Sequence, residues 1–272
     1  MPARFYRKAS ERVEDTCVTL TLSRPRHRTD LIRELVARDL KLRYRRSVLG
    51  IAWSQLAPLS MVAVLSFVFG HIIRLHVEHY TAFLVSGMMP WAWFQSAMIG
   101  GTASVVNGRD LVRQPGFPVP MLPVISVTSA MVNFALSLPV MFLFIGLSYH
   151  SIPPTALALP IVAAVQFLVI LGPCYFLSAV NVRFRDVGHI VEIALLPLFY
   201  ATPIFYAEPK QFHALFVLNP MAHIMNAYHA ILLHDQLPSF SGLAAVSIVA
   251  FGVLVAGYRV FDRLSAHFPE EI

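Results

Sequence analysis

The chain has 272 residues, of which 57% are hydrophobic and only 13% charged, about half the charged share of an average soluble domain. Thirteen of its 21 lysines and arginines fall within the first 47 residues, and no Asp, Glu, Lys or Arg occurs between positions 114 and 182. Water could not solvate that tract in a soluble fold, so the composition excludes one. The net charge of +6 does not indicate nucleic acid, because the cations crowd at one terminus instead of covering a soluble domain.

The apolar runs are long and continuous instead of alternating with period two, which indicates an all-α integral membrane protein. Residues 1–29 read as a cytosolic tail, since they have no apolar core of the kind a signal peptide needs and include Glu11, Glu14 and Asp15. Residues 30–46 predict an amphipathic interfacial helix. Leu31, Leu35 and Leu42 fall near one face beside Ile32, Val36 and Leu40, and Asp30 stands as its N-cap. Glu34 with Arg38 and Asp39 with Arg43 are acidic-before-basic pairs four residues apart. A helix this basic beside an apolar run lies in the interface.

Six spans of roughly 20 apolar residues follow, at about 48–73, 80–105, 121–148, 155–180, 189–205 and 243–260. Pro153 and Pro154 divide the third from the fourth. With the N-terminus inside, 19 of the 21 cationic residues lie on cytosolic segments and only Arg74 and Lys210 outside, so the positive-inside rule gives N-in and C-in. The outer segment at about 207–237 is too apolar for a free loop and breaks at Asn219–Pro220. Two short re-entrant helices fit it; a complete seventh span would carry the C-terminal arginines outside. Cys17 in the tail and Cys174 in an apolar run sit in different phases and predict no disulfide.

Enzymatic motifs are missing. The sequence has no P-loop, no Gly-x-Ser-x-Gly, no His-Glu-x-x-His and no Cys-x-x-Cys. Asp186, Glu192 and His234–Asp235 form no cluster that spacing alone justifies as catalytic. Eight of the eleven histidines fall near the outer face, and those at 71, 76 and 79 match no helical metal-ligand spacing, so no metal is expected. His223 and His229 are read as hydrogen-bonding backbone or a sugar hydroxyl. Glu192 is the one carboxylate placed within a span, reaching either a functional site or back to Arg185 and the interface. Two aromatic clusters remain: Trp91, Trp93 and Phe94 in span two, and Phe199, Tyr200, Phe205 and Tyr206 in span five. They fit either an interfacial belt or a stacking track for sugar rings.

Four stretches in order, LIRELVARDLKLRYRRSVLGIAW, LVSGMMPWAWF, NVRFRD and LNPM, resemble the permease subunit of type-2 ABC exporters of polysaccharides such as O-antigen, capsule or teichoic acid. The likeness runs from about Leu31 to Asp262; residues 1–30 lie outside it. The resemblance implies a homodimer, each copy paired with a separate cytosolic ATPase, so Mg-ATP belongs to the partner and no cofactor is expected in this chain. It also implies a lateral gate between spans one and five that admits a lipid-linked glycan, and a polymer channel at the dimer interface. Residues 30–46 become a gate helix, whose Arg38, Lys41, Arg43, Tyr44, Arg45 and Arg46 would meet the lipid headgroup, hinged near 47–50. The coupling segment, about 106–118, would present Arg109, Asp110, Leu111 and Arg113 to the ATPase; Pro115, Pro118 and Pro120 require its helix to be short. Asn181, Arg185 and Asp186 match the inner-loop motif. An exporter of a small lipid or drug, or a membrane enzyme of glycan assembly, are the other readings.

Overall fold

The computed structural model describes residues 25–44, 52–73, 77–207 and 213–271. Helix α1 is Pro25–Tyr44; α2 is Ala52–Leu65, continued by a π-helical segment Ser66–Ile72; α3 is Tyr80–Asn107; α4 is the single turn Arg109–Val112; α5 is Met121–Tyr149. After a 3-10 turn at Pro154–Ala158 come α6 (Leu159–Arg183), α7 (Asp186–Tyr200), α8 (His213–Leu218), α9 (Pro220–Leu233), α10 (Phe240–Ser265) and α11 (Phe268–Glu271). There is no strand among the described residues, as expected of an all-α membrane protein.

Among the described residues four helices are long and apolar enough to cross a bilayer: Gln55–Ile72, Met121–Tyr149, Pro154–Arg183 and Phe240–Ser265. The expected second span is the 28-residue α3, about 42 Å at 1.5 Å per residue. It is less apolar than the others because it hardly meets lipid. Nineteen of its 28 residues are buried, packed by α2, α5, α6, α7 and α9. The expected fifth span is shorter than the sequence implied. Helix α7 has 15 residues and ends at Tyr200, after which residues 201–207 leave the helix.

The connecting segments collect at two ends. At one, Val36 of α1 forms a small core with Met121 and Ile125 at the start of α5. There too the Tyr175 hydroxyl donates to the Pro120 carbonyl (3.0 Å), and Arg183, His267 and Glu271 line one cavity. At the other, the Tyr80 hydroxyl donates to the Phe205 carbonyl (2.7 Å), the rings of His79 and Tyr149 lie 4.5 Å apart, and Thr155 Oγ1 donates to the Ile231 carbonyl (2.7 Å). The first end carries Arg38, Arg109, Arg113, Arg183, Arg185 and Arg263. Among the described residues the second carries no Lys or Arg.

Helix α1 begins five residues before the expected start. Pro25 takes the first helical position, where its missing N–H costs nothing, so Asp30 lies inside the helix instead of capping it. Leu31, Ile32, Leu35 and Leu40 pack at the edge of the small core on α5, so the helix rests on protein along this face. Arg38 and Lys41 are exposed. Arg45, Arg46 and the expected hinge at 47–50 lie outside the described residues, as do Arg74, Lys210 and Cys17. Cys174 is buried and unpaired.

The most extensive helix pair is α6 with α10, and two glycines let the backbones touch. A Cβ on Gly257 would overlap the Gly172 carbonyl oxygen, and one on Gly172 would sit 2.8 Å from the Leu254 nitrogen. In lipid, where apolar transfer does not drive helix association, such close approach supplies the packing. Gly252, on the same helix, faces open space. Gly257→Ala should therefore lower the melting temperature of the detergent-purified protein by several degrees, while Gly252→Ala leaves it unchanged or raises it; equal shifts in a thermal-unfolding assay would count against the backbone contact.

Candidate functional site

A groove of about 590 Å³ opens between α2, α3 and α7. Helical spacing accounts for its walls. Met88, Trp91, Ala92, Gln95, Ser96 and Ile99 recur at three- and four-residue steps on one face of α3, as do Glu192, Leu195, Leu196 and Phe199 on α7. Helix α2 contributes Ala57, Pro58 and Met61. The two principal walls run antiparallel, since Asp186 begins α7 near the end where α3 finishes: Asn181 Nδ2 donates to the Thr102 carbonyl (3.2 Å).

Of the expected aromatic residues, Trp91 and Phe199 line the groove; Phe94, Tyr200, Phe205 and Tyr206 join them through ring contacts, and Trp93 does not. Trp91 packs 5.1 Å from Phe94 and edge-on 5.6 Å from Phe199. Phe199 continues to Tyr200 (5.4 Å) and Phe205 (5.6 Å), and Phe205 to Tyr206 (4.8 Å). Two rings that the sequence did not single out extend the series: Phe69 at 5.6 Å from Phe205 and Phe216 at 6.2 Å from Tyr206. They come from the π-helical end of α2 and from α8, so no local pattern announced them. Trp93 faces the opposite side of α3, stacked on Phe134 at 5.1 Å with its Nε1 buried and without a partner. Tyr200 is exposed, whereas Trp91, Phe94 and Phe199 are buried.

Glu192 lines the groove. The carboxylate stands 3.9 Å from His189 Nδ1, one turn back on the same helix; of the two destinations weighed for it, the structure gives the groove wall, with His189 and not Arg185 beside it. The side chains of Gln95 and Ser96 make no hydrogen bond to another described residue.

The remaining motif residues occupy the basic end. Arg109, Asp110 and Arg113 are exposed and Leu111 is half-buried, on a helix of four residues. It is as short as the prolines required; Gly116 then turns the chain with φ 80°. Leu111 and Asn107 share a cleft of about 250 Å³ with Leu35, Arg38 and Asp39 of α1, so the expected gate and coupling helices are neighbours. Arg43 and Tyr44 close α1. Arg185 and Asp186 are exposed, and Asp186 sits in the first turn of α7, where a carboxylate complements the helix dipole. Asn181 is buried and fastens α6 to two neighbours, because its Oδ1 also accepts from the Gly188 N–H (3.1 Å).

Asn219 acts similarly at the opposite end. Its Nδ2 donates to the Ala201 carbonyl (3.2 Å) and to Thr202 Oγ1 (3.0 Å), and its Oδ1 caps α9 by accepting from the Met221 N–H (3.0 Å). Pro220 then occupies the first position of α9. His223 Nε2 lies 3.1 Å from the Val217 carbonyl, and His229 is buried and stacked on Phe83 at 4.2 Å. Among the described residues no three or more His, Cys, Asp and Glu side chains converge as a metal site would need.

A helical membrane protein with an aromatic groove between its spans fits a transporter subunit. The model of the ABC-2 type transporter family matches residues 30–233, and the chain belongs to that family. It is 35% identical over 248 residues to the O-antigen export system permease protein RfbA of Myxococcus xanthus, covering 89% of this chain and 95% of that protein. It is 28% identical to the Klebsiella pneumoniae protein of the same name, over 89% and 94%. Similarity to the polysialic acid transport protein KpsM of Escherichia coli is 21% over 85% and 93%.

Asn181→Ala removes both hydrogen bonds and leaves the Gly188 N–H, in the first turn of α7, without its acceptor, at about 1–3 kcal/mol. Thermal unfolding of the variant should show that loss, and Asn181→Asp, which keeps only the acceptor and sets a carboxylate against the Thr102 carbonyl, should do no better. Retention of wild-type stability by Asp would mean that the Thr102 bond contributes nothing.

Proposed function

We propose that this chain is the membrane-spanning subunit of an ATP-driven exporter. It moves a lipid-linked surface polysaccharide from the cytosol across the cytoplasmic membrane. In this reading the chain has six spans with both termini cytosolic, works as a homodimer, and receives its energy from two copies of a separate ATPase that bind Mg-ATP. The arginines gathered at one end of the helix bundle support that orientation. The names of the relatives favour a glycan over a small lipid or drug as cargo.

The observation that carries the reading is the aromatic groove between α2 and α7, the first and fifth spans. Sugar rings present apolar C–H faces that aromatic planes accept without reading sequence, as a moving polymer requires. The neighbouring cleft that joins α1 to Leu111 gives an ATPase bound at Arg109 and Arg113 a route to the helix beside the gate. Those exposed cations, with Asp110 between them, suit charge-assisted docking into a cleft of the partner.

The test is surface display of the polymer in cells that depend on this chain. A stacking contact of about 1 kcal/mol corresponds to roughly fivefold, so Trp91→Ala and Tyr200→Ala should each cut display at least that far while the protein still inserts and binds its ATPase. Trp93→Ala should instead lower the amount of folded protein, because that ring is core. Normal display in both the Trp91 and the Tyr200 variant would sink the sugar-track role. Arg109→Glu with Arg113→Glu should abolish co-purification of the ATPase, and unchanged stoichiometry would remove these arginines from the contact.

A further inference from the structure

We infer that the groove takes an uncharged glycan, reading its hydroxyl groups through Glu192, and turns away polyanionic chains. This rests on the exporter reading above and adds the substrate class. The lining divides by chemistry along the helices. Glu192 lies seven residues before Phe199 on α7, about 10 Å along the axis, and Gln95 one turn from Trp91 on α3. One end of the groove is therefore aromatic, at Trp91 and Phe199, and the other is polar, at Glu192 and Gln95.

Each half suits part of a neutral sugar. The aromatic faces take the ring's C–H surface. A carboxylate only accepts hydrogen bonds, and its two oxygens match the two donors of a vicinal diol. Gln95 supplies both a donor and an acceptor, and its side chain makes no hydrogen bond to another described residue. A neutral glycan thus leaves no polar group of the groove unmatched.

A chain with a carboxylate or phosphate on every repeat meets the opposite situation. None of the lining residues is Lys or Arg, and Glu192 is the one charged residue among them. The group nearest to that carboxylate is His189, on the same helix and highly exposed; the lining of α2 and α3 contributes no charge. Each anionic repeat would approach a half-exposed negative charge with no cation to receive it among the described lining residues, a repulsive element of the kind that sets specificity.

The test uses the permease–ATPase complex in lipid nanodiscs and equilibrium dialysis with two end-tagged probes, maltoheptaose and a heptamer of polysialic acid. Wild type should bind the neutral probe at least about tenfold more tightly than the anionic one. Glu192→Gln should weaken neutral binding roughly fivefold, since an uncharged acceptor is the weaker partner, and narrow the preference. Glu192→Lys should invert it. Gln95→Lys, which leaves Glu192 in place and adds a cation on the facing wall, should raise anionic binding independently. Equal binding of both probes by wild type, or a preference unmoved by Glu192→Lys, overturns the inference while leaving the exporter reading intact. Binding of neither probe by a complex that hydrolyses ATP counts against the exporter reading, and the inference falls with it.

Discussion

Helix α3 is shut away from lipid by the helices around it, and most of the fold follows from how that enclosure satisfies polar atoms in a medium without water. Its own backbone is closed by helical hydrogen bonds, and Ser86 and Ser104 donate to carbonyls one turn back. Gln166 on α6 reaches across to the Pro90 carbonyl (2.8 Å), and Asn181 to that of Thr102. Both bonds join α3 to α6, which packs in turn against the outer helix α10. The exposed surfaces of α5 and α10 are apolar, with Leu143 and Leu147 on α5 and Ile248 and Phe251 on α10.

Against this fixed centre the groove has one loosely held wall. Among the described side chains of α2 only Val62 is fully buried, and 6% of that span's apolar window is buried, compared with 50% for α6. The groove is thus bounded by the enclosed α3 and by two helices, α2 and α7, most of whose described side chains face outward. The cleft shared by α1, α4 and the start of α5 at the basic end adjoins the groove along α3, from Gly100 onward.

Hydrophobic periodicity and charge made the membrane class, the helix break at Asn219–Pro220 and the aromatic clusters legible in the sequence. Residues that act through tertiary contacts were harder to read. Asn181 stood out as part of a motif, but its work is to join three helices by two hydrogen bonds, which no spacing reveals. The α1 helix starts early because residues 25–29 are polar and give no amphipathic signal, while Pro25 suits a first turn. Trp93 looked equivalent to Trp91, yet two residues on a helix are about 200° apart, so one ring entered the core and the other the groove. The α7 segment read as a longer span because its apolar run continues past Tyr200, where the backbone leaves the helix.

The π-helical stretch at the end of α2 has a mechanical meaning. There the Ile73 N–H reaches back five residues to the Val68 carbonyl (2.9 Å), so the register slips by one position relative to the α-helical half. Beyond that slip the chain is pegged to its surroundings, by Ser66 Oγ against Thr81 Oγ1 (2.8 Å) and by Phe69 against Phe205. Before it, Ala57, Pro58 and Met61 line the groove, and Gln55 Nε2 donates to the Asn133 carbonyl of α5 (3.2 Å). Span one is thus fastened on both sides of the slip: one hydrogen bond ties its α-helical half to α5, and its π-helical end is keyed to α3 and to the 201–207 segment.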